Sequence, residues 1–327
     1  VRIRKQVQTL PWQDRMTADD PQAILDRAGR AFSEGRYADA AADFRTLTTA
    51  YPDIGELYIN LGAALRAAGD KSGAEQALRK AVRLLPESAA AWFNLANLLS
   101  ADKRGEEAVG AYEEAEKLQP GTPEILNNLG VQFYETGRIE DALKKYDAAL
   151  DADPGFADAL TNRGNALQRM CRMAEAEASI DAALSINPGH AVYRLNKSSY
   201  FAANGRHAEA LTWADKSIDA DPTYTEARLK KASLLIQTGD LEAGFREYEA
   251  RWNMPNWHSL PKKLTVPPWC GEDIAGKTLL IWNEQGFGDA LIYARYLPVL
   301  AARGVKVRLM VEAPLIRLFE RSFEDIP

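Results

Sequence analysis

Five asparagines, Asn60, Asn94, Asn128, Asn162 and Asn196, stand 34 residues apart along the chain. An asparagine side chain offers one carbonyl acceptor and two N–H donors, so a straight row of them can pair with the peptide units of an extended polypeptide whatever its side chains are. Asparagine is a mediocre helix former, and five placements in one phase call for a reason. A second candidate is the turn Gly286-Phe287-Gly288-Asp289. Its glycines permit a tight backbone, and Asp289 supplies a carboxylate able to act as a general base or to cap the following helix. The histidines His190, His207 and His258 are too scattered for a metal site, and Cys171 and Cys270 fit no ligand or disulfide spacing. A reducing, cytoplasmic setting is expected, with no metal.

The elements that must position the asparagines are marked by prolines. Pro52, Pro86, Pro120, Pro154, Pro188 and Pro222 are also 34 residues apart, and each asparagine from Asn60 to Asn196 follows a proline by eight. Such a period signals a helical solenoid. In the unit 55–88, Tyr58, Leu61 and Leu65 fall at helical spacing, Gly69-Asp70 break the run, and Ala74, Leu78 and Ala81 share one face before Pro86. Gly62, Ala74 and Ala81 are small where two helices must approach, so one unit reads as a helix, a turn and a helix. Trp92, Leu95, Tyr112 and Ala115 repeat the pattern, then Leu129, Gly130, Phe133, Tyr146 and Ala149, and so on to Pro222. The unit at 21–54 fits through Gly35, Ala40 and Phe44, and the one from 225 fits less well, as terminal repeats do. The expected fold is mainly α: a right-handed α-solenoid of about seven units followed by a partial Rossmann-like α/β segment.

These recurring residue types resemble the tetratricopeptide repeat. A hairpin of this kind buries its apolar face only against neighbours, so the array stacks into a superhelix whose inner wall is built from the first helix of each unit. The asparagines precede the packing residues Leu61, Leu95 and Leu129 by one position and therefore share one line. At about 8–10 Å per step, four steps cover roughly ten residues of extended chain. Asn at this phase resembles the repeats of the O-linked N-acetylglucosamine transferase family, where such asparagines line the inner surface; the resemblance implies a polypeptide acceptor or partner protein in the concave groove. Asp26 and Lys230 occupy the phase in the end units, so the row stops there. Ile59, Phe93, Asn127, Thr161 and Leu195 precede the asparagines, which excludes the basic pattern that clamps a partner's C-terminal carboxylate. The competing expectation is that each asparagine bonds a neighbouring helix and sets repeat geometry.

A net charge of −6 and a pI near 5.4 argue against nucleic acid or an anionic membrane as main partner. No run of about 20 apolar residues is present to span a bilayer. The expected domains are a tail at 1–20, the solenoid at 21–254, a Pro/Trp-rich linker at 255–276 and an α/β start at 277–327. Starting at Val1, the chain reads as a processed or shortened product. Gly271, Gly276, Lys277 and Thr278 match P-loop spacing, but prolines precede them and an apolar run follows, which is the wrong context. Thr278 to Trp282 reads as a buried parallel strand, Ala290 to Arg303 as a helix, Val305 to Val311 as a second strand and Pro314 to Arg321 as a helix. A dinucleotide fingerprint is spoiled by Leu291, although Glu312 is placed to act as a ribose acid. Asn196-Lys197-Ser198 matches a glycosylation acceptor but falls within a helix.

Asn283-Glu284-Gln285-Gly286-Phe287-Gly288-Asp289 with Ala294-Arg295-Tyr296-Leu297-Pro298 resembles the start of the glycosyltransferase-like domain that follows tetratricopeptide repeats in many bacterial proteins, and more distantly heptosyltransferases of GT-B fold. That resemblance implies a protein O-glycosyltransferase with a nucleotide-sugar donor, acceptors such as bacterial flagellin, Gly286 and Gly288 at the turn and Asp289 as the base. Pro298 lies about three residues later than in heptosyltransferases. With only two strands of the α/β part, the chain by itself is expected not to transfer sugar and to contain no cofactor. Its strands are expected to be covered by the solenoid's end, the linker or a second copy of the chain. The alternative function is a non-catalytic scaffold with a vestigial α/β segment.

Overall fold

The computed structural model describes residues 20–254, 269, 271–282 and 286–323. Most of the expected tail and of the Pro/Trp-rich linker, and the stretch Asn283-Glu284-Gln285, lie outside these residues, as do His258 and Cys270. The chain divides into two compact units, Val1–Gly244 and Phe245–Pro327.

Residues 21–248 form seven helix pairs in sequence, the last helix crossing from the first compact unit into the second after Gly244. The first helices are α1 (Pro21–Ser33), α3 (Gly55–Ala67), α5 (Ala89–Ala101), α7 (Pro123–Glu135), α9 (Ala157–Arg169), α11 (Ala191–Ala203) and α13 (Thr225–Thr238). Their partners are α2 (Tyr37–Ala50), α4 (Lys71–Leu84), α6 (Gly105–Leu118), α8 (Ile139–Ala152), α10 (Met173–Ile186), α12 (His207–Ala220) and α14 (Leu241–Tyr248). Each first helix ends in the same turn, where a backbone N–H reaches back to the fifth residue before it, as in Asp70 N to Leu65 O at 2.9 Å and Arg138 N to Phe133 O at 2.7 Å. The turn needs a left-handed residue. Gly69 and Gly137 supply it at φ 86° and 83°, whereas Lys103 and Cys171 adopt φ 59° and 57° in the equivalent places at a steric cost of about 1–2 kcal/mol each.

The pairs close through small residues. Ala40, Ala74, Ala108, Ala142, Ala176 and Ala210, one in each of the first six pairs, are all fully buried, and Gly244 takes the place in the seventh. Opposite Gly130 lies the ring of Tyr146, with Cε1 2.6 Å from where a Cβ would stand, so only glycine lets α7 and α8 approach this closely. The position filled by the buried Leu61, Leu95 and Leu129 changes character in the later units, where it holds Arg163, Lys197 and Lys231. Each of these pairs with an aspartate on the second helix of the preceding unit: Arg163 to Asp147 at 2.6 Å, Lys197 to Asp181 at 2.7 Å and Lys231 to Asp215 at 2.8 Å. The position is thus apolar in the second to fourth units and charged in the fifth to seventh, and in the first unit it is Arg27, which pairs with Asp43 of its own second helix at 2.6 Å.

The second unit carries β1 (Thr278–Trp282) and β2 (Lys306–Met310), paired in parallel with Thr278 opposite Lys306 and Trp282 opposite Met310. Between them lie α15 (Phe287–Ala294) and α16 (Leu297–Ala302), and α17 (Ala313–Ser322) follows. The single helix expected over 290–303 is two, because Pro298 has no N–H for the helical ladder and sits instead in the first turn of α16. Ala294, Leu297, Leu315 and Phe319 pack on Ile281, Val307 and Val311, so helices from both sides of β2 cover one sheet face. Phe287, Leu291, Ile292, Tyr293 and Tyr296 stay exposed.

Candidate peptide-binding site

The first helices of successive pairs touch one another, α3 with α5, α7 with α9, α9 with α11 and α11 with α13. This seam holds the asparagines. All five are half-buried, but their amides are engaged unequally. Asn94 Nδ2 donates to the Ala90 carbonyl of its own helix at 2.8 Å. Asn128 Nδ2 donates to Asn97 Oδ1 of the preceding unit at 3.2 Å, and Asn162 Nδ2 donates to Asn127 Oδ1 at 2.9 Å. Asn127 Nδ2 in turn donates to Asn128 Oδ1 at 3.2 Å, which joins the two bonds into one run of amides. Among the described residues Asn60 and Asn196, both half-buried, carry no side-chain hydrogen bond, so their amides support no bond within the chain.

The run has a direction. The Tyr112 hydroxyl donates to Asn97 Oδ1 at 2.5 Å. Burial pushes the Tyr112 pKa up to about 12, against a smaller opposing pull from the Asn128 amide, so the phenol keeps its proton at neutral pH. With Asn97 Oδ1 taking bonds from Tyr112 and Asn128, Asn97 Nδ2 is left to donate at one end and Asn162 Oδ1 to accept at the other. Beside the run, Gln132 is buried; its Nε2 donates to Ser100 Oγ at 2.7 Å and to Glu135 at 3.1 Å. The asparagine spacing pointed to Asn94, Asn128 and Asn162 but not to Asn97, Asn127 or Gln132. Asn97 was in reach, since it and Asn165 share a phase two periods apart.

Gly286, Gly288 and Asp289 belong to the other compact unit. Gly286 is the N-cap of α15, and Asp289 is its third residue, half-buried, with its backbone N–H on Gly286 O at 3.1 Å. The cap role considered for Asp289 therefore falls to Gly286. Among the described residues no cluster of three His, Cys, Asp or Glu side chains is placed to hold a metal, and no helix is long and apolar enough to cross a membrane.

The chain matches the tetratricopeptide repeat model at residues 25–89, 65–123 and 161–225, and a second repeat model at 132–170. Protein FlbA of Caulobacter vibrioides is 35% identical over 97 residues, 28% of this chain and 16% of that protein, so the match spans under a fifth of its relative. Among solved structures, a tetratricopeptide repeat protein from Parabacteroides merdae superposes with a TM-score of 0.65 at 15% identity, covering 72% of this chain and 94% of the other. Pseudomonas aeruginosa pilF gives 0.51 at 21% identity, covering 62% and 92%. These two likenesses concern the fold alone. The repeat model covers just over half of the sequence, and the helix pairs, left-handed turns and buried alanines recur at its period: the chain belongs to the tetratricopeptide repeat family.

Proposed function

We propose that the solenoid is a protein-binding module that holds an extended polypeptide along the row from Asn60 to Asn196. The observation that carries this reading is the row of half-buried asparagines, joined by a run of amides in its middle from Asn97 to Asn162, with unengaged groups at Asn60, Asn196, Asn97 Nδ2 and Asn162 Oδ1. Replacing Asn60 and Asn196 by Ala removes amides that support no internal bond. It is expected to weaken a bound peptide by about 0.5–1.5 kcal/mol per lost hydrogen bond and to leave the melting temperature unchanged. Replacing Asn94, Asn128 and Asn162 weakens the same peptide but also costs stability, because two of these amides bridge units. Calorimetry that found peptide binding intact in both variants would make the asparagines purely structural.

A second reading gives the captured polypeptide a chemical fate. The order β1, glycine turn, α15 with Asp289 in its first turn, then parallel β2 favours an α/β sugar-transfer segment in which Asp289 is the base and a nucleotide-sugar the donor. One positioned base supplies only about 10²–10⁴-fold, so this segment is proposed as part of a larger catalytic unit, not as an active enzyme. Intact-mass assays with nucleotide-sugars and a captured acceptor are expected to show no transfer by this chain. Transfer that disappears in Asp289→Asn would prove the segment self-sufficient. A scaffold role uses the same groove and needs no transfer.

A further inference from the structure

The first helices α3 to α11 turn one strip to solvent, and its middle is made by each asparagine and the residue three positions on. The second row is Ala63, Asn97, Val131, Asn165 and Ser199, all half-buried like the asparagines. Neither row contains a charge, although 26% of the chain is charged and solvent-facing helix positions are where charges collect. Charges return only at the helix ends, with Glu124 and Asp158 in first turns and Glu135 and Arg169 in last turns.

Beyond the neutral rows the asparagine phase continues into charge at both ends. Asp26 of α1 is exposed and already accepts a bond from Gln22 Nε2 at 3.0 Å. Lys230 of α13 is half-buried and has no acidic partner among the described residues. Burial alone lowers its pKa, the mark of an ammonium that has lost water without gaining a counter-charge. A charged side chain laid on the neutral floor would lose hydration for nothing, whereas hydroxyl, amide and small side chains lose little. An anionic group at Lys230 would restore what that ammonium lacks.

We propose that this strip takes an uncharged extended segment, rich in Ser, Thr, Asn, Gly or Ala, that carries one carboxylate where it reaches Lys230. The inference rests on the polypeptide-binding reading above and adds the chemistry and the polarity of the captured segment. Direction follows from it: the acidic end of the segment lies toward α13 and its neutral body runs back toward α3.

A displayed library of random peptides of about ten residues, selected on the full chain, tests both levels. Retained peptides are expected to be depleted in Asp, Glu, Lys and Arg except for one acid recurring near one end. Lys230→Met is expected to abolish that terminal preference and to weaken the best acid-ended peptide roughly tenfold, while the same peptide with Asn in place of its acid binds both proteins equally. Retained peptides as charged as the input, or an acid preference that persists in Lys230→Met, would overturn the inference and leave peptide capture standing. No enrichment over the chain with Asn60, Asn94, Asn128, Asn162 and Asn196 all replaced by Ala would overturn both.

Discussion

Gly130→Leu is expected to destabilise the solenoid by about 3 kcal/mol, at the upper end of what overpacking costs, and to lower its melting temperature by roughly 6–12 °C. A Cβ at this position would stand 2.6 Å from Tyr146 Cε1, 2.8 Å from Cδ1 and 3.1 Å from Cζ, so the obstacle is a whole ring edge. That ring cannot swing away, since Tyr146 is 1% exposed and held between helix pairs. In a stack where each unit leans only on its neighbours, the damage should open α7 and α8 first, with hydrogen exchange rising there before the ends of the array. Gly110→Ala is the matched control. It lies inside α6 with nothing within 4 Å of a new Cβ, and it should gain up to about 1 kcal/mol of helix propensity. An unchanged melting temperature for Gly130→Leu would mean that α7 and α8 do not meet at this glycine.

Where the sequence was transparent, the reason was that one physical demand repeats. Gly69 and Gly137 must be left-handed, Ala74 and Ala142 must be small, and Pro86 and Pro154 must follow a helix that has ended. A demand that recurs every 34 residues is visible in composition alone. The amide run was not visible, because residues of one row do not bond each other. Asn128 reaches back 31 residues to Asn97 and Asn162 reaches back 35 to Asn127, so the pairing depends on how neighbouring helices are offset. The ionic seam was legible but passed over: Asp147, Asp181 and Asp215 precede Arg163, Lys197 and Lys231 by 16 residues, the distance from a second helix to the next first helix. In the second unit the five-residue strands were readable as apolar runs, whereas the break before α16 required giving Pro298 its full weight against the apolar pattern around it.

The ionic seam makes the sharpest energetic prediction at Lys197. Its side chain is 5% exposed, and its ammonium lies 3.0 Å from Glu177 Oε1 and 2.7 Å from Asp181 Oδ1. The Tyr200 hydroxyl donates to the other oxygen of Glu177 at 3.0 Å, and the rings of Tyr200 and Phe201 lie beneath the ammonium at 5.3 and 5.1 Å. Replacing both carboxylates by amides, Glu177→Gln with Asp181→Asn, leaves a buried cation with neutral acceptors and ring faces but no counter-charge. The expected loss is about 2–3 kcal/mol. It falls short of the roughly 3–5 kcal/mol for a fully buried pair because the carboxylates keep 37% and 55% of their surface in water. Removing the cation instead should be far milder. Lys197→Met restores the apolar side chain that Leu61, Leu95 and Leu129 provide earlier in the stack, and its stability should lie within about 1 kcal/mol of the parent. The two variants also separate in acid. The hydrogen bond from Lys197 is the main cause holding the Glu177 carboxyl below the ordinary glutamate value, so its stabilisation is complete above that value, near 4.5, and fades as pH falls through the lower folded one. Lys197→Met should therefore lose less stability than the parent between about pH 5 and pH 3, a difference that urea unfolding at each pH resolves. If the double carboxylate variant matched the parent at neutral pH, Lys197 would have to be reaching water that the packing around it denies.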